Sequence, residues 1–261
     1  MTTDQPTVTV DTVDAVSVVT VCNPPHNLLT EALLRAVADA LHDVGPGVRV
    51  IVLSSVGRSF CAGANFRSGD APDPTEGDSF AVRTGAFYAQ AARIFASPVP
   101  VVAAIQGAAI GAGFGLALAC DMRVVSEAGW FQANFVRLGI HPGFALSMTL
   151  PHFVGPGRAA DLLLTGRRVE ATEALHMGLA DKVVPAGTEL AEARAVAETI
   201  AQGAPLAVKS TRATLRADLA ARAKEAMRHE LSEQSALAGG ADALEGVAAM
   251  LEGRPPRFSG R

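Results

Sequence analysis

Residues 99–126 read VPVVAAIQGAAIGAGFGLALACDMRVVS, and the fold is read from this stretch. Its first seven residues are a short, β-branched apolar run of strand length. Gly107, Gly111, Gly113 and Gly115 then punctuate it, and with Pro100 and Gln106 they rule out a membrane span, which needs about 20 predominantly apolar residues. From Gly111 the chain begins as a glycine-rich turn and continues as a small-residue helix; residues 121–126 return to strand. Strand, tight turn, helix, strand is the unit of a mainly parallel sheet with right-handed crossovers.

The flanking sequence repeats that alternation. Upstream, residues 8–21 alternate β-branched and polar side chains and predict a strand or hairpin. Thr30 is placed to cap a helix over 31–41, in which Leu33, Leu34, Val37 and Leu41 recur at helical spacing. Residues 48–55 read as a second buried strand, 68–79 as an exposed acidic loop rich in Pro and Gly, and 80–95 as a helix. Downstream of His152 the pattern is helical, over 158–164, 169–177, 189–201, 206–219 and 222–237. No fixed-period repeat is visible, although strands alternating with helices suit a coiled, repeated architecture.

With 261 residues and 49% apolar content the chain can bury a large core, and 18% charged residues with a net charge of −4 offer no basic excess for nucleic acid. Cys22, Cys61 and Cys120 are widely spaced in apolar runs, with no CxxC and no histidine at ligand spacing. Reduced buried thiols and no metal site are expected. The polar, acid-bearing start MTTDQPTVTVDTVD resembles neither a secretory signal nor a transit peptide, so a cytoplasmic location is expected.

Two turns carry the chemistry. Gly111-Ala-Gly-Phe-Gly follows a strand and opens a helix, which suits either an anion site on backbone N–H groups or close helix packing. As a dinucleotide fingerprint it lacks the G-x-G-x-x-G spacing. Ser59-Phe-Cys-Ala-Gly-Ala-Asn-Phe-Arg turns at Gly63 and exposes the N–H of Ala64. Together the turns could present two amides to one thioester oxygen and so stabilise an enolate or tetrahedral oxyanion.

GRSFCAGANF (57–66), PVPVVAAIQGAAIGAGFGLALACDMRV (98–124) and LGIHPGFALSMTLPHFVGPGRAADLLLTGRRVEATEALHMGLADKVVP (138–185) resemble, in order, the signature blocks of the crotonase superfamily, which includes enoyl-CoA hydratases and isomerases. APLAVKSTRATLR (204–216) and the tail AAMLEGRPPRFSGR (248–261) continue the resemblance. It implies an α/β fold, a crotonase-like spiral of ββα units over 1–200, and a C-terminal helical region over 201–261 that supports a homotrimer or dimer of trimers. It further implies an acyl-CoA substrate, no cofactor beyond the coenzyme A moiety, and no nucleic-acid or membrane partner. Carried across, the oxyanion donors are the N–H groups of Ala64 and Ala112; Asn65, Phe66 and Arg67 match positions along the coenzyme A, and Phe258 matches an aromatic that contacts adenine.

The departures from the family are chemical. Its two hydratase glutamates fall at Gly115 and Phe135, and the aspartate used by other members falls at Gly143, so no carboxylate stands at any of the three. The candidate substitutes are His141, whose loop borders the acyl pocket in the family, and Tyr88, on a helix that directs groups at the substrate in some members. Asn134 and Arg137 flank the vacated position 135. A crotonase-like enzyme that stabilises a thioester enolate without paired glutamates is therefore expected, the alternative being a non-catalytic acyl-CoA carrier. A serine peptidase built on Ser147 and His141 finds no G-x-S-x-G elbow.

Overall fold

β-Branched runs make the framework. In a computed structural model that describes residues 6–66, 72–76 and 78–261, Thr7–Val13 (β1) and Val16–Cys22 (β2) form a hairpin, antiparallel from Thr7 opposite Cys22 to Val13 opposite Val16. Thr30 then caps Glu31–His42 (α1), its side chain accepting from the N–H of Leu33. Three strand pairs follow. They are Val50–Ser55 (β3) with Ser59–Cys61 (β4), Val101–Ile105 (β5) with Ala108–Ile110 (β6), and Met122–Ser126 (β7) with Trp130–Gln132 (β8). The first two pairs lead into the helices Asp78–Phe95 (α2) and Ala112–Ala119 (α3), and the third into the 3-10 turn Phe135–Leu138.

The first strand of each pair joins a six-stranded sheet that includes Lys182–Val184 (β10), in the order β1-β2-β3-β5-β7-β10; the second joins a four-stranded sheet that ends with Arg168–Glu170 (β9), in the order β4-β6-β8-β9. Each repeat therefore advances both sheets by one parallel strand, which is the expected spiral of ββα units. Side chains on β3 alternate between two apolar clusters. Ile51 and Leu53 pack with Leu33, Leu34, Val37 and Leu41 of α1, while Val50 and Val52 pack with Ala193, Ala197 and Ala201 of Glu189–Ala201 (α7). A parallel sheet covered on both faces requires this continuous apolar character.

The remaining helices are Leu146–Val154 (α4), Pro156–Thr165 (α5), Ala171–Met177 (α6), Pro205–Leu215 (α8), Leu219–Leu237 (α9) and Ala241–Glu252 (α10). Two of them, α4 and α10, lie outside the helical segments expected from the sequence. α4 is short, contains Pro151 and starts from two left-handed residues, Phe144 (φ 59) and Ala145 (φ 60). The helix expected over 169–177 also begins later, because residues 168–170 pair antiparallel with β8. Among the described residues no helix is long and apolar enough to cross a membrane.

Candidate active site

Each of the two turns passes through a glycine at positive φ, a conformation that L side chains rarely adopt. After β4 the chain passes Gly63 at φ +109, and a Cβ there would stand 3.3 Å from the carbonyl oxygen of Ile110. Residues 63–65 then run alongside Leu29, whose N–H donates to the Gly63 carbonyl at 2.8 Å and whose carbonyl accepts from the Asn65 N–H at 2.9 Å. In an extended segment successive amides face opposite edges. The N–H of Ala64 therefore points away from Leu29.

The second turn ends at Gly111, at φ +53, and Ala112 is the first residue of α3. Its N–H is one of the amides that the opening turn of any helix leaves without an intrahelical acceptor. Neither the Ala64 nor the Ala112 amide has a hydrogen-bond partner among the described residues. A Cβ on Gly113 would lie 2.0 Å from the Cys61 carbonyl oxygen. Gly113 serves close packing of α3 on β4, and Gly111 turns the chain into α3.

Both alanines, with Gly63 and Gly111, line one cavity of about 230 Å³. Its walls are mostly apolar, and Tyr88 is the one titratable side chain among the described residues that line it. The Tyr88 hydroxyl donates to Gln234 Oε1 at 2.8 Å and accepts from the Phe144 N–H at 3.3 Å. Burial, reinforced by the nearby Glu230 carboxylate, holds its pKa well above the phenolic range, so it remains a protonated donor.

The three positions at which the resemblance expects carboxylates, 115, 135 and 143, hold two glycines and a phenylalanine, and the space beside the glycines is filled. A Cβ on Gly115 would fall 2.5 Å from the Phe144 ring, and a Cβ on Gly143 would fall 2.1 Å from the Tyr88 oxygen and 2.6 Å from Gln234 Nε2. Phe135 itself lines the cavity, 8% exposed. No carboxylate faces the space from these three positions.

Of the other residues singled out in the sequence, Asn65 and Phe66 line the cavity. Phe258 sits on an adjoining recess that shares Asn134, Leu138 and Met250 with it. Arg67 lies outside the described residues. His141 requires a correction, because it does not border the cavity. Ile140 occupies the wall instead, and His141 lies on a separate recess with Ser147 and Leu164. Its Nδ1 is 2.8 Å from the Pro142 carbonyl oxygen and its ring meets His229 edge-on, at 5.8 Å between centroids.

Sequence reasoning missed Glu230 and Gln234, although Ala223, Met227, Glu230 and Gln234 repeat at helical spacing along the buried face of α9. Polar residues in such a stripe are the signal. Glu230 is fully buried and accepts from the Ala145 N–H at 2.7 Å, the Ser147 N–H at 3.0 Å and the Ser147 hydroxyl at 2.6 Å. These bonds hold the left-handed pair Phe144–Ala145, which seats Phe144 over Gly115. Removing the acceptor in Glu230→Ala leaves those donors unsatisfied and is expected to cost about 3 kcal/mol, read as a lowered urea midpoint.

Burial raises the Glu230 pKa above its ordinary value of 4.5, against the hydrogen bonds and His141, which lower it. The folded chain therefore binds this proton more tightly than the unfolded chain. Its contribution to stability is greatest below the unfolded value and falls as pH rises through the raised folded one. Glu230→Gln, which does not titrate, is expected to lose that slope.

Comparison with known proteins gives the family. Residues 11–261 match the family model described as enoyl-CoA hydratase/isomerase. The chain is 36% identical over 237 residues to a protein named probable enoyl-CoA hydratase echA6 of Mycobacterium tuberculosis, covering 90% of this chain and 91% of that protein. It is 33% identical over 248 residues to a probable enoyl-CoA hydratase of Bacillus subtilis, covering 94% and 95%. The crystal structure of an enoyl-CoA hydratase from Mycobacterium avium subsp. paratuberculosis K-10 superposes with a TM-score of 0.83 at 31% identity, covering 97% of this chain and 98% of that one. The chain belongs to the enoyl-CoA hydratase/isomerase family.

Proposed function

We propose that this protein binds a coenzyme A thioester with the carbonyl oxygen between the N–H groups of Ala64 and Ala112, and that it stabilises the enolate or oxyanion formed there without a two-glutamate hydration step. The observation that carries this reading is a pair of amides without a partner among the described residues, each following a glycine turn and each on a residue that lines one apolar cavity. Donors fixed before the reaction gain strength as negative charge develops on oxygen, and a dry wall raises their worth. The acyl chain lies against the aromatic wall. Asn65, Phe66 and the recess at Phe258 lead toward the nucleotide end.

The reaction classes that fit are those whose barrier lies in enolate or oxyanion formation, namely isomerisation, decarboxylation, thioester hydrolysis or an atypical hydration. Tyr88, the one titratable side chain among the described residues lining the cavity, is the candidate proton donor in this reading, and acting so requires its hydroxyl to leave Gln234. A second reading, a non-catalytic acyl-CoA carrier, is favoured by one observation: neither carboxylate nor imidazole is among the described residues lining the cavity.

In the assembly reading, α8 lies between copies of the chain in a trimer. It buries none of its residues within one chain, and Leu206 and Leu215 are 83% and 79% exposed. Light scattering of the purified chain tests this. Calorimetry with acyl-CoA, free coenzyme A and the free acid tests the ligand, with tighter binding of the thioester than of either fragment expected. Failure to bind any thioester would overturn the reading. A turnover survey with crotonyl-CoA, malonyl-type and branched acyl-CoA esters then separates enzyme from carrier.

A further inference from the structure

The face that α2 turns toward the cavity carries Phe80, Thr84, Phe87 and Tyr88, at helical spacing. Within this aromatic stripe Thr84 is the misfit. It is 1% exposed, and its hydroxyl is buried with no hydrogen-bond partner among the described residues. A buried hydroxyl without a partner costs free energy that an apolar side chain of the same shape would avoid.

A helical threonine ordinarily escapes that cost by donating to the carbonyl one turn back. Thr149, Thr165, Thr199 and Thr214 all do so in this chain, at 2.9, 2.7, 2.9 and 3.1 Å. Thr84 does not. The hydroxyl oxygen is itself inaccessible, so reaching a ligand in the cavity requires rotation about χ1, and two rotamers are open to threonine in a helix.

The polar groups nearest along the wall are already engaged. Tyr88 is bonded to Gln234 and the Phe144 amide, and Gln234 Nε2 donates to the His141 carbonyl at 2.8 Å. Asn134 stands apart, beside Gly111. An oxygen entering the cavity along α2 would therefore find the Thr84 hydroxyl uncommitted, with aromatic rings on either side.

We propose that Thr84 is a specificity-determining residue whose hydroxyl hydrogen-bonds an oxygen substituent, a hydroxyl or keto group, on the acyl chain, so that oxygenated acyl-CoA esters are preferred over plain ones. This rests on the thioester reading above. The test is calorimetry with acyl-CoA esters of one chain length, one plain and the others bearing a hydroxyl or keto oxygen at successive carbons, on the parent and on Thr84→Val.

At one position the oxygenated ester is expected to bind roughly three- to tenfold more tightly than the plain ester, the worth of one neutral hydrogen bond. In Thr84→Val that ratio falls to about one. No preference at any position, or a preference that survives in Thr84→Val, would overturn the proposal while leaving the thioester reading intact. Failure of every ester, plain and oxygenated alike, to bind would defeat the thioester reading and this proposal with it. Ligand-free Thr84→Val should melt no lower than the parent; a drop of more than about 2 °C would mean that the hydroxyl is structurally paired, and would also overturn the proposal.

Discussion

Ala112→Pro is expected to leave the fold intact and to lower thioester turnover, where turnover exists, by about 10² to 10³, the usual worth of one oxyanion donor. Proline is favoured at the first helical position, where the missing N–H had no intrahelical acceptor and φ is already near the helical value. The preceding residue is Gly111, whose lack of a Cβ removes one of the clashes that restrict a residue before proline. Little else about α3 should change, since every residue of that helix is buried by packing independent of this amide. Circular dichroism and the melting transition check the fold. If the protein is a carrier, the same substitution weakens thioester binding instead.

The second large effect concerns the carboxylates. Gly115→Glu is expected to destabilise the chain by about 3 kcal/mol or more and to confer no crotonyl-CoA hydration. The first atom of the new side chain would lie 2.5 Å from the Phe144 ring, so an overpacked core and a buried unpaired charge act together. The Phe144 backbone cannot simply retreat, because the Tyr88 hydroxyl and the Glu230 carboxylate hold the turn that carries it. The parent itself should hydrate crotonyl-CoA about 10² to 10⁴ more slowly than a two-glutamate hydratase, the usual contribution of general acid–base catalysis. Full hydratase activity in either protein, measured by loss of enoyl thioester absorbance, would contradict this account of the filled sites.

The parts of the site that were readable in the sequence are those set by local backbone chemistry. Gly63 and Gly111 announce turns, each followed by an alanine that lines the cavity, and the β-branched runs announce the buried strands that precede them. The helix over 31–41 was legible through its cap and its apolar spacing, and it is found as α1. Residues whose role depends on distant packing were not legible. Glu230 caps α4 from a helix about 85 residues downstream, and only the tertiary fold brings them together.

His141 illustrates a finer limit. The loop does border the cavity, but neighbouring side chains diverge, and Ile140 rather than His141 lines the wall. Thr84 is invisible for another reason, since a threonine on an apolar helix face usually satisfies itself on its own backbone. In α10 the alanines favour a helix, and Gly246 among them answers to packing that the sequence does not show, since a Cβ there would lie 2.4 Å from the Leu138 carbonyl carbon.

The proposed function requires the Ala64 and Ala112 amides to polarise a thioester carbonyl. Difference infrared spectroscopy of a carbonyl-¹³C-labelled acyl-CoA bound to the parent and to Ala112→Pro measures this directly. The C=O stretch is expected to move to lower frequency on binding to the parent and to recover much of the way toward its solution value in the variant. A bound thioester whose carbonyl frequency is the same in the parent as in water would contradict the account.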